Sequence, residues 1–240
     1  MRALSLEVRN TGEIDNVWLA NILYGASKSG KTSLAATLGD KPLVIDFDEG
    51  LLTLRELRVN YLQPRTWEEV LELTTLVRSG KLREKVDFDH LIWDSHTFFY
   101  ALVMEGVLRI SKRAQPQIQD WGLANERVKL VYEQLRRARS DQKYHFTLVC
   151  HERTDKDENT GRIVGGINAT PALMAVVPAM FDEMYYLAVS AGPQNTVKRG
   201  VWTVQNGFFP AGSRSRGRLL PVEEPDLRQI YGKIISQGGK

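Results

Sequence analysis

One short segment constrains the fold of this chain more than any other. Residues 25–32 read GASKSGKT, the pattern of a glycine, four residues, a second glycine, a lysine and a hydroxyl residue. The two glycines let the backbone curl until successive N–H groups face one centre, which forms a concave donor site for phosphate oxygens. Such a loop needs a strand before it and a helix after it. The segment therefore predicts a phosphate-binding loop in an α/β fold.

The sequence on either side of the loop meets that requirement. Residues 17–24 (VWLANILY) are mostly apolar and carry aromatic and branched side chains, which favours a buried strand. Residues 31–38 (KTSLAATL) place Leu34 and Leu38 one helical turn apart with alanines between them, which favours a helix. The positive end of that helix would face the bound anion.

The loop residues have distinct expected roles toward ATP and Mg²⁺. Lys31 would bring a positive charge to the β- and γ-phosphates, and the Thr32 hydroxyl would ligate Mg²⁺. Lys28 lies inside the loop, where it could meet phosphate, a neighbouring subunit or only solvent, and solvent is the default. The predicted nucleotide-binding residues are Gly25, Ala26, Ser27, Lys28, Ser29, Gly30, Lys31, Thr32 and Ser33.

Strand and helix patterns alternate along the rest of the chain. Strands are predicted at residues 41–48, 88–94 and 144–150, and helices at residues 67–78, 96–112 and 121–139. This alternation indicates an α/β fold with a mainly parallel central sheet flanked by helices. The later part predicts a polar hairpin tip at 154–162, helices at 171–180 and 225–235, and two late, antiparallel strands at 183–189 and 201–209. We expect one domain over residues 1–240, with an ordered core at about 13–235 and loose ends at 1–12 and 236–240.

Composition excludes several classes of protein. A chain of 240 residues with 42% hydrophobic and 25% charged residues can bury a full core. No apolar run approaches the ~18 residues of a membrane span, and residues 1–10 lack the long apolar core of a signal peptide. Cys150 is the only cysteine, which excludes an intrachain disulfide and a multi-cysteine zinc site. The net charge of +3 is compatible with nucleic acid without being diagnostic.

Polar residues follow the ends of three predicted strands. Ligands of open α/β sheets bind at the carboxyl ends of the strands, so these side chains are expected to surround the phosphates. They are Asp46, Asp48 and Glu49 after the second predicted strand, Asp94 and Ser95 after the third, and His151 and Glu152 after the fourth.

Asp94 is the predicted metal ligand. It follows the apolar run LIW, as a Walker B aspartate does, and would hold Mg²⁺ through a water while Thr32 binds the metal directly. The alternative is a helix cap, in which Asp94 or Ser95 caps the helix beginning near residue 96. With a phosphate-binding loop in the same chain we favour the metal role, and Ser95 is left to do the capping.

Asp48 and Glu49 are the predicted catalytic carboxylates, one of which would position or deprotonate the attacking water. The sequence does not choose between them, and a solvated turn before Gly50 or a helix cap is the alternative. His151 would sense the γ-phosphate through a hydrogen bond, or else be a partly buried structural histidine.

The order of these motifs resembles the RecA-type recombinase core. In that family the strand after the P-loop helix ends in Ile-Asp followed by an acid, usually glutamate. Residues 45–49 read IDFDE here, which puts Asp48 at that position as a departure from the family pattern. Residues 92–95 (IWDS) look like the Walker B end of the family, and His151 corresponds to its polar sensor, commonly glutamine.

The chain is similar in more detail to small phage RecA-like ATPases of the Sak type. The shared features are Tyr24-Gly25, residues 150–152 (CHE), residues 181–183 (FDE) and the tail at residues 208–227. The resemblance implies a RecA-like P-loop NTPase core without large accessory domains, ATP-linked binding to single-stranded DNA, annealing in phage-type homologous recombination, and assembly into rings or filaments. It also implies a single-strand-binding protein as partner and a phage, prophage or bacterial origin. The lack of a long apolar run and the single cysteine favour no membrane and a cytoplasmic setting.

Two segments are candidates for binding DNA. Residues 191–220 contain no acid but carry Lys198, Arg199, Arg214, Arg216 and Arg218, which could track phosphates or place an arginine on the γ-phosphate of a neighbouring subunit. Arg214 and Arg216 are the predicted arginine fingers, and a solvated basic loop is the alternative. Residues 162–170 (RIVGGINAT) lie where RecA proteins place a mobile DNA-binding loop.

The sequence thus predicts a Mg²⁺-dependent ATPase that binds single-stranded DNA and promotes annealing. One rival is a regulatory or assembly module that binds nucleotide without meaningful hydrolysis and acts through a protein partner, without DNA. Another is a small-molecule kinase, against which the lack of an arginine-rich lid between the Walker motifs argues.

Overall fold

The structure of the protein, a computed structural model, describes residues 10–11, 17–156, 158, 161–193, 196–215 and 217–236. The loose ends predicted from sequence fall mostly outside these residues. Across the described residues ten strands form one sheet. Helices cover both of its faces, because buried side chains from the two faces of the same strands form two separate clusters.

The sheet is built around the strand that leads into the P-loop. Strand β1 pairs in parallel with β5 and β7, and the order across the sheet is β10-β8-β7-β1-β5-β4-β2-β3. Strands β2, β3 and β4 continue the parallel part, whereas β6, β8, β9 and β10 pair antiparallel. The mainly parallel sheet with late antiparallel strands is therefore confirmed. The bounds are β1 Ala20–Gly25, β2 Pro42–Asp46, β3 Asn60–Leu62, β4 His90–Asp94, β5 His145–Lys156, β6 Ile163–Ile167, β7 Glu183–Ala191, β8 Val197–Trp202, β9 Gly212–Ser213 and β10 Val222–Glu223.

The helices follow the sequence prediction closely. Their bounds are α1 Lys31–Ala35, α2 Trp67–Arg78, α3 His96–Ser111, α4 Ile118–Asp141, α5 Pro171–Met180 and α6 Leu227–Ile235, with 3-10 segments at Leu51–Leu57 and Lys81–Glu84. Helix α1 is shorter than predicted because the chain tightens after it. Thr37 N donates to Leu34 O at 3.1 Å and Leu38 N donates to Ala35 O at 3.2 Å, which is 3-10 spacing. None of the described helices is both long and apolar enough to cross a membrane.

The side chains of β1 alternate between the two faces of the sheet, so this strand contributes to both buried clusters. Ile22 and Tyr24 pack into the cluster that contains the buried faces of α2, α3, α4 and α5. Leu23 points the other way and packs with residues of α1 and α6. Because side chains alternate across a strand, burial on both sides requires the nearly continuous apolar run seen in the sequence.

Two predictions for the later part of the chain are wrong. The strand expected at residues 201–209 is instead β8 at Val197–Trp202, followed by a tight turn in which Asn206 bridges to Phe209. The segment at residues 162–170, expected as a mobile loop, contains β6, which pairs with β5. Gly165 and Gly166 weaken the strand signal there, but the backbone of Phe208 approaches so closely that a Cβ on Gly165 would lie 2.8 Å from Phe208 O.

A buried histidine ties the amino end of β1 to the rest of the fold. Leu19 N donates to His145 Nδ1 at 3.1 Å, so that nitrogen must be unprotonated. The ring of Tyr231 meets the imidazole edge-on, with the two ring centroids 4.5 Å apart. Burial lowers the pKa of His145 to about 4, and the charge of Arg139 adds to that effect while Asp89 opposes it.

His145 should make the fold sensitive to acid. Because its folded pKa lies below the ordinary value near 6.5, its contribution to stability is complete above pH 6.5 and is lost as the pH falls toward 4. We expect this residue alone to remove about 2 kcal/mol between pH 7.5 and pH 5. Urea unfolding of His145→Gln at both pH values should show a correspondingly smaller loss than the wild type. An equal loss in the two proteins would contradict the assignment.

Candidate nucleotide-binding site

The P-loop is held at the carboxyl edge of the sheet by the packing of its glycines. Strand β1 ends at Gly25 and α1 begins at Lys31, so the loop spans the gap between the two elements. A Cβ on Gly25 would lie 2.6 Å from Leu187 O of β7, which leaves no room for a side chain. Gly30 has a φ of 100°, a conformation that L side chains rarely adopt. Both glycines are therefore required by geometry.

Lys31 is buried and folded back onto the loop. Its Nζ donates to Gly25 O at 3.1 Å and to Ala26 O at 2.6 Å. Burial lowers the pKa of Lys31, whereas the nearby Asp94 carboxylate raises it. The ammonium group thus lies within the curve of the loop, where phosphate oxygens would meet it.

Thr32 and Asp94 meet directly. The Thr32 hydroxyl donates to Asp94 Oδ2 at 2.5 Å, although the two residues are 62 positions apart. Asp94 is buried at the end of β4, and burial raises its pKa to about 6. Hydrogen bonding by Thr32 and the charge of Lys31 oppose that rise. A buried carboxylate beside a hydroxyl fits Mg²⁺, which proteins hold through one or two oxygen groups while phosphate and water complete the shell.

The capping alternatives for these residues are wrong. Asp94 belongs to β4 and its carboxylate is bonded to Thr32, so it does not cap α3. Ser95 occupies the N-cap position, but its side chain makes no capping hydrogen bond. Its Oγ is buried and has no hydrogen-bond partner among the described residues. The Asp94 carboxylate is therefore not used by the helix.

A second acidic group lies beside Asp94. Asp46 and Asp94 are register partners at the ends of β2 and β4. Gln63 Nε2 donates to Asp46 Oδ2 at 2.6 Å, and Asp48 N donates to Asp46 Oδ1 at 3.3 Å. The sequence had placed Asp46 at this strand end without giving it a role. In the structure it supports the turn that carries Asp48.

Asp48 and Glu49 differ sharply in their surroundings. Asp48 is half-buried, and burial raises its pKa, with a side-chain hydrogen bond to Asp46 adding to the rise. Its charge is also among those that act on Lys31 and Asp94. Glu49 is exposed and pairs with Arg65, with Oε1 and Nη1 2.5 Å apart. The aspartate accepts from Gly50 N at 3.0 Å and lies within electrostatic reach of Lys31 and Asp94, whereas the glutamate is engaged at the surface.

His151 lies next to the start of the P-loop. It is the register partner of Gly25 in the pairing of β1 with β5. The side chain is half-buried, and burial lowers its pKa, as does the charge of Lys31 to a smaller extent. The imidazole is therefore placed near the loop as the sensor hypothesis requires. That role stays a prediction.

The remaining predicted loop residues are brought together by the loop itself. Ala26, Ser27 and Lys28 are exposed, and Lys28 has a φ of 61°. Ser29 is buried, and its Oγ has no hydrogen-bond partner within the described part of the chain. Ser33 is partly buried on the first turn of α1. Lys28 is thus exposed in the single chain, and its role stays a prediction.

Residues 19–215 match the family model AAA_24, which is described as an AAA domain. The chain belongs to this AAA domain family. A comparison with curated proteins gives no match. Among solved structures, a KaiC-like protein from the hyperthermophilic archaeon Pyrococcus horikoshii OT3 is 12% identical with a TM-score of 0.41, over 77% of this chain and 77% of that chain.

Family membership confirms the predicted P-loop ATPase fold, and the sheet order with β5 between the P-loop strand and the Asp94 strand agrees with a RecA-like core. Nucleotide, usually with Mg²⁺, is what a P-loop ATPase family implies. The Sak-type assignment stays a prediction.

The sequence did not link Arg199 to the P-loop, although the structure places this arginine against it. Arg199 of β8 donates from Nε to Ser29 O at 2.8 Å, and a Cβ on Gly30 would lie 3.2 Å from the same Nε. Only its position in the acid-free stretch marked it as a candidate for phosphate, and no local pattern linked β8 to the loop. The contact follows from the pairing of β8 with β7, which neighbours β1.

The predicted arginine fingers lie elsewhere or outside the described residues. Arg214 donates to Asp182 Oδ1 at 3.1 Å and to Ala179 O at 3.0 Å. Asp182 also accepts from Ala20 N at 3.0 Å, which puts this group at the opposite end of β1 from the P-loop. Arg214 could therefore act only on the nucleotide of another subunit. Arg216 lies outside the described residues.

Replacing Arg199 should loosen the P-loop. Arg199→Ala removes a hydrogen bond from a charged donor to Ser29 O, and we expect ATP affinity to fall about fivefold, since such a bond contributes about 1 kcal/mol when partly exposed. Lys198→Ala, the adjacent exposed cation, is the matched control and should bind ATP like the wild type. Isothermal titration with ATP and Mg²⁺ makes the comparison, and equal affinities in both variants would contradict the role.

Proposed function

We propose that this protein is a Mg²⁺-dependent ATPase that binds single-stranded DNA and promotes annealing of complementary strands in phage-type homologous recombination. The observation that carries the ATPase part is the direct contact between the Thr32 hydroxyl and the Asp94 carboxylate, with Lys31 beside them. Lysine, hydroxyl and carboxylate are the three groups that P-loop enzymes use on phosphate and metal.

The residues divide the work by position. The P-loop N–H groups and Lys31 bind and orient the phosphates. Thr32 and Asp94 would hold Mg²⁺, which neutralises charge on the phosphate oxygens when it is bound. His151 would report the presence of the γ-phosphate to β5, and its pairing with Gly25 supports this role.

Asp48 is our choice for orienting the attacking water. It is half-buried and close enough to Lys31 and Asp94 to influence the pKa of both, whereas Glu49 is exposed and paired with Arg65. A carboxylate whose pKa is raised by burial is a better proton acceptor than an exposed, ion-paired one.

The two acids can be separated by matched substitutions. Asp48→Asn should lower kcat for ATP hydrolysis about 100-fold or more while ATP binding is retained, because the variant keeps the size of the side chain but loses its basicity. Glu49→Gln should hydrolyse ATP at nearly the wild-type rate. Steady-state phosphate release under saturating ATP and Mg²⁺ measures both. The reverse order of effects would assign the water to Glu49.

The course of β5 gives a route by which DNA bound at the hairpin could act on the nucleotide site. This strand passes the P-loop at His151 and continues into an exposed hairpin, where Arg153 to Lys156 pair with β6. The same strand thus connects the nucleotide end of the sheet to a surface element. A strand that contacts both the P-loop and the hairpin provides a physical connection between bound ATP and DNA bound at the hairpin.

The basic stretch contributes less directly than its composition implied. Arg199 contacts the P-loop, Arg214 pairs with Asp182, and Arg218 donates to Ile234 O. These cations lie at three separate places and do not form one strip. We therefore take the hairpin, which exposes Arg153 and Lys156, as one DNA element beside the basic stretch. We keep Arg214 for a contact with a neighbouring subunit in a ring or filament, with a single-strand-binding protein as a further partner.

The test is ATP hydrolysis with and without single-stranded DNA, combined with DNA binding over a range of salt concentrations. We expect DNA to raise turnover, Lys31→Ala to abolish it, and log affinity to fall with log salt by about 0.7 for each phosphate contacted. DNA binding absent at low salt, with or without ATP, would overturn the DNA part. Nucleotide binding without turnover would then point to a switch acting through a protein partner.

A further inference from the structure

A cavity of about 580 Å³ opens beside the β5–β6 hairpin, between the ends of three helices. His96 and Thr97 of α3, Trp121 of α4 and Thr170 before α5 line it, together with Arg153 of β5. Its volume is within the range of sites that bind small organic ligands. None of its lining residues belongs to the P-loop group.

One wall of the cavity is aromatic and held in place. The rings of Tyr100 and Trp121 are stacked, with centroids 6.2 Å apart and an interplanar angle of 19°. Tyr100 donates from its hydroxyl to Asn125 Oδ1 at 3.1 Å, and Thr170 donates to the same oxygen at 2.9 Å. The Trp121 side chain remains 43% exposed. The wall therefore offers a fixed aromatic surface to a flat ligand.

The ends of two helices make part of the cavity lining favourable to negative charge. Helix α3 begins at His96 and α5 begins at Pro171, so the positive ends of two helices meet there. Arg153 lies at the mouth, and its Nε is hydrogen-bonded to Asp155 Oδ1 at 3.0 Å. An aromatic wall together with two helix N-termini suits a molecule with both a flat ring and an anionic group.

Two side chains that border the cavity carry buried polar atoms without a hydrogen-bond partner among the described residues. His96 is 1% exposed, and its Nδ1 is hydrogen-bonded to the Tyr132 hydroxyl at 2.7 Å. His96 Nε2 and Thr97 Oγ1 are buried and have no hydrogen-bond partner among the described residues. Buried polar atoms are rarely left unpaired in folded proteins, and these two belong to side chains that border the cavity.

We propose that this cavity receives one unpaired nucleotide of single-stranded DNA, with its base against Trp121 and its phosphate toward the N-termini of α3 and α5. The inference rests on the proposed DNA-binding function and gives it a location. Aromatic stacking combined with positive potential is the usual means of holding single strands. A paired base would first have to leave the duplex stack, which costs free energy, so an unpaired nucleotide is favoured.

The cavity is also connected to the nucleotide site. Asn168 lines it, and Asn168 N donates to the backbone oxygen of His151 at 2.7 Å. His151 in turn pairs with Gly25 at the start of the P-loop. A nucleotide in the cavity would therefore lie one hydrogen bond away from the predicted sensor of the γ-phosphate.

The test uses Trp121→Ala with a thymidine oligonucleotide as the probe. Base stacking on an aromatic side chain is worth about 1–3 kcal/mol, so affinity for the oligonucleotide should fall about tenfold or more. Leu123→Ala is the matched control, since Leu123 lies on the same helix, is 45% exposed and does not line the cavity. Trp121→Phe keeps an aromatic ring and should retain affinity, while it loses most of the tryptophan fluorescence quenching caused by DNA.

The outcomes separate this inference from the proposed function. On an oligonucleotide of abasic units, which keeps the phosphates and lacks the bases, Trp121→Ala and the wild type should bind equally. Wild-type protein that binds single strands with Trp121→Ala equally tight overturns the cavity and leaves DNA binding intact. Loss of ATP affinity in Trp121→Ala without loss of DNA affinity would assign the cavity to ATP and overturn the inference. Absence of DNA binding by the wild type removes both proposals.

Discussion

The hydrogen bond between Thr32 and Asp94 is the constraint on which the nucleotide site depends. It joins the first turn of α1 to the end of β4, and β5 lies between β1 and β4 in the sheet. The bond can form because β1 and β4 both pair with β5 and end close together along it, Gly25 at His151 and Asp94 at Val149. Register pairs Gly25 with His151 and Asp46 with Asp94 there, so one edge gathers the lysine, the hydroxyl, the carboxylates and the imidazole.

The same edge of the sheet holds several charged groups whose charges are only partly compensated by one another in the folded protein. Burial raises the pKa of Asp94 and lowers that of Lys31, and each of the two favours the charged form of the other. Asp48 adds a second half-buried carboxylate whose pKa is raised by burial and by Asp46. Perturbed titration of several neighbouring groups is typical of sites built to bind a charged ligand. Here the groups are the ones that phosphate and Mg²⁺ chemistry would use.

The sequence predicted those features whose signals lie within a few residues of one another. The P-loop, the Asp94 strand and helices α2 and α5 were predictable because apolar spacing and glycine placement act within a few residues. Strand β6 was missed because Gly165 and Gly166 carry no strand propensity and tertiary pairing decides the outcome. Arg199 on the P-loop and the Trp121 cavity were beyond reach for the same reason. Both bring together segments that are distant in sequence and share no pattern.

The close approach of Phe208 to Gly165 links the β5–β6 hairpin to the start of the P-loop. Phe209 stacks on Tyr186, with ring centroids 4.2 Å apart, and the Tyr24 hydroxyl donates to Pro210 O at 2.5 Å. Tyr24 is the residue immediately before Gly25, so the turn at residues 206–209 bridges the hairpin and the root of the P-loop. A tilt of the hairpin must therefore move the stacked rings of Tyr186 and Phe209 or shift relative to them. Because Gly165 has no side chain, the backbone of Phe208 packs directly against the hairpin. A movement of the hairpin is therefore transmitted to the P-loop.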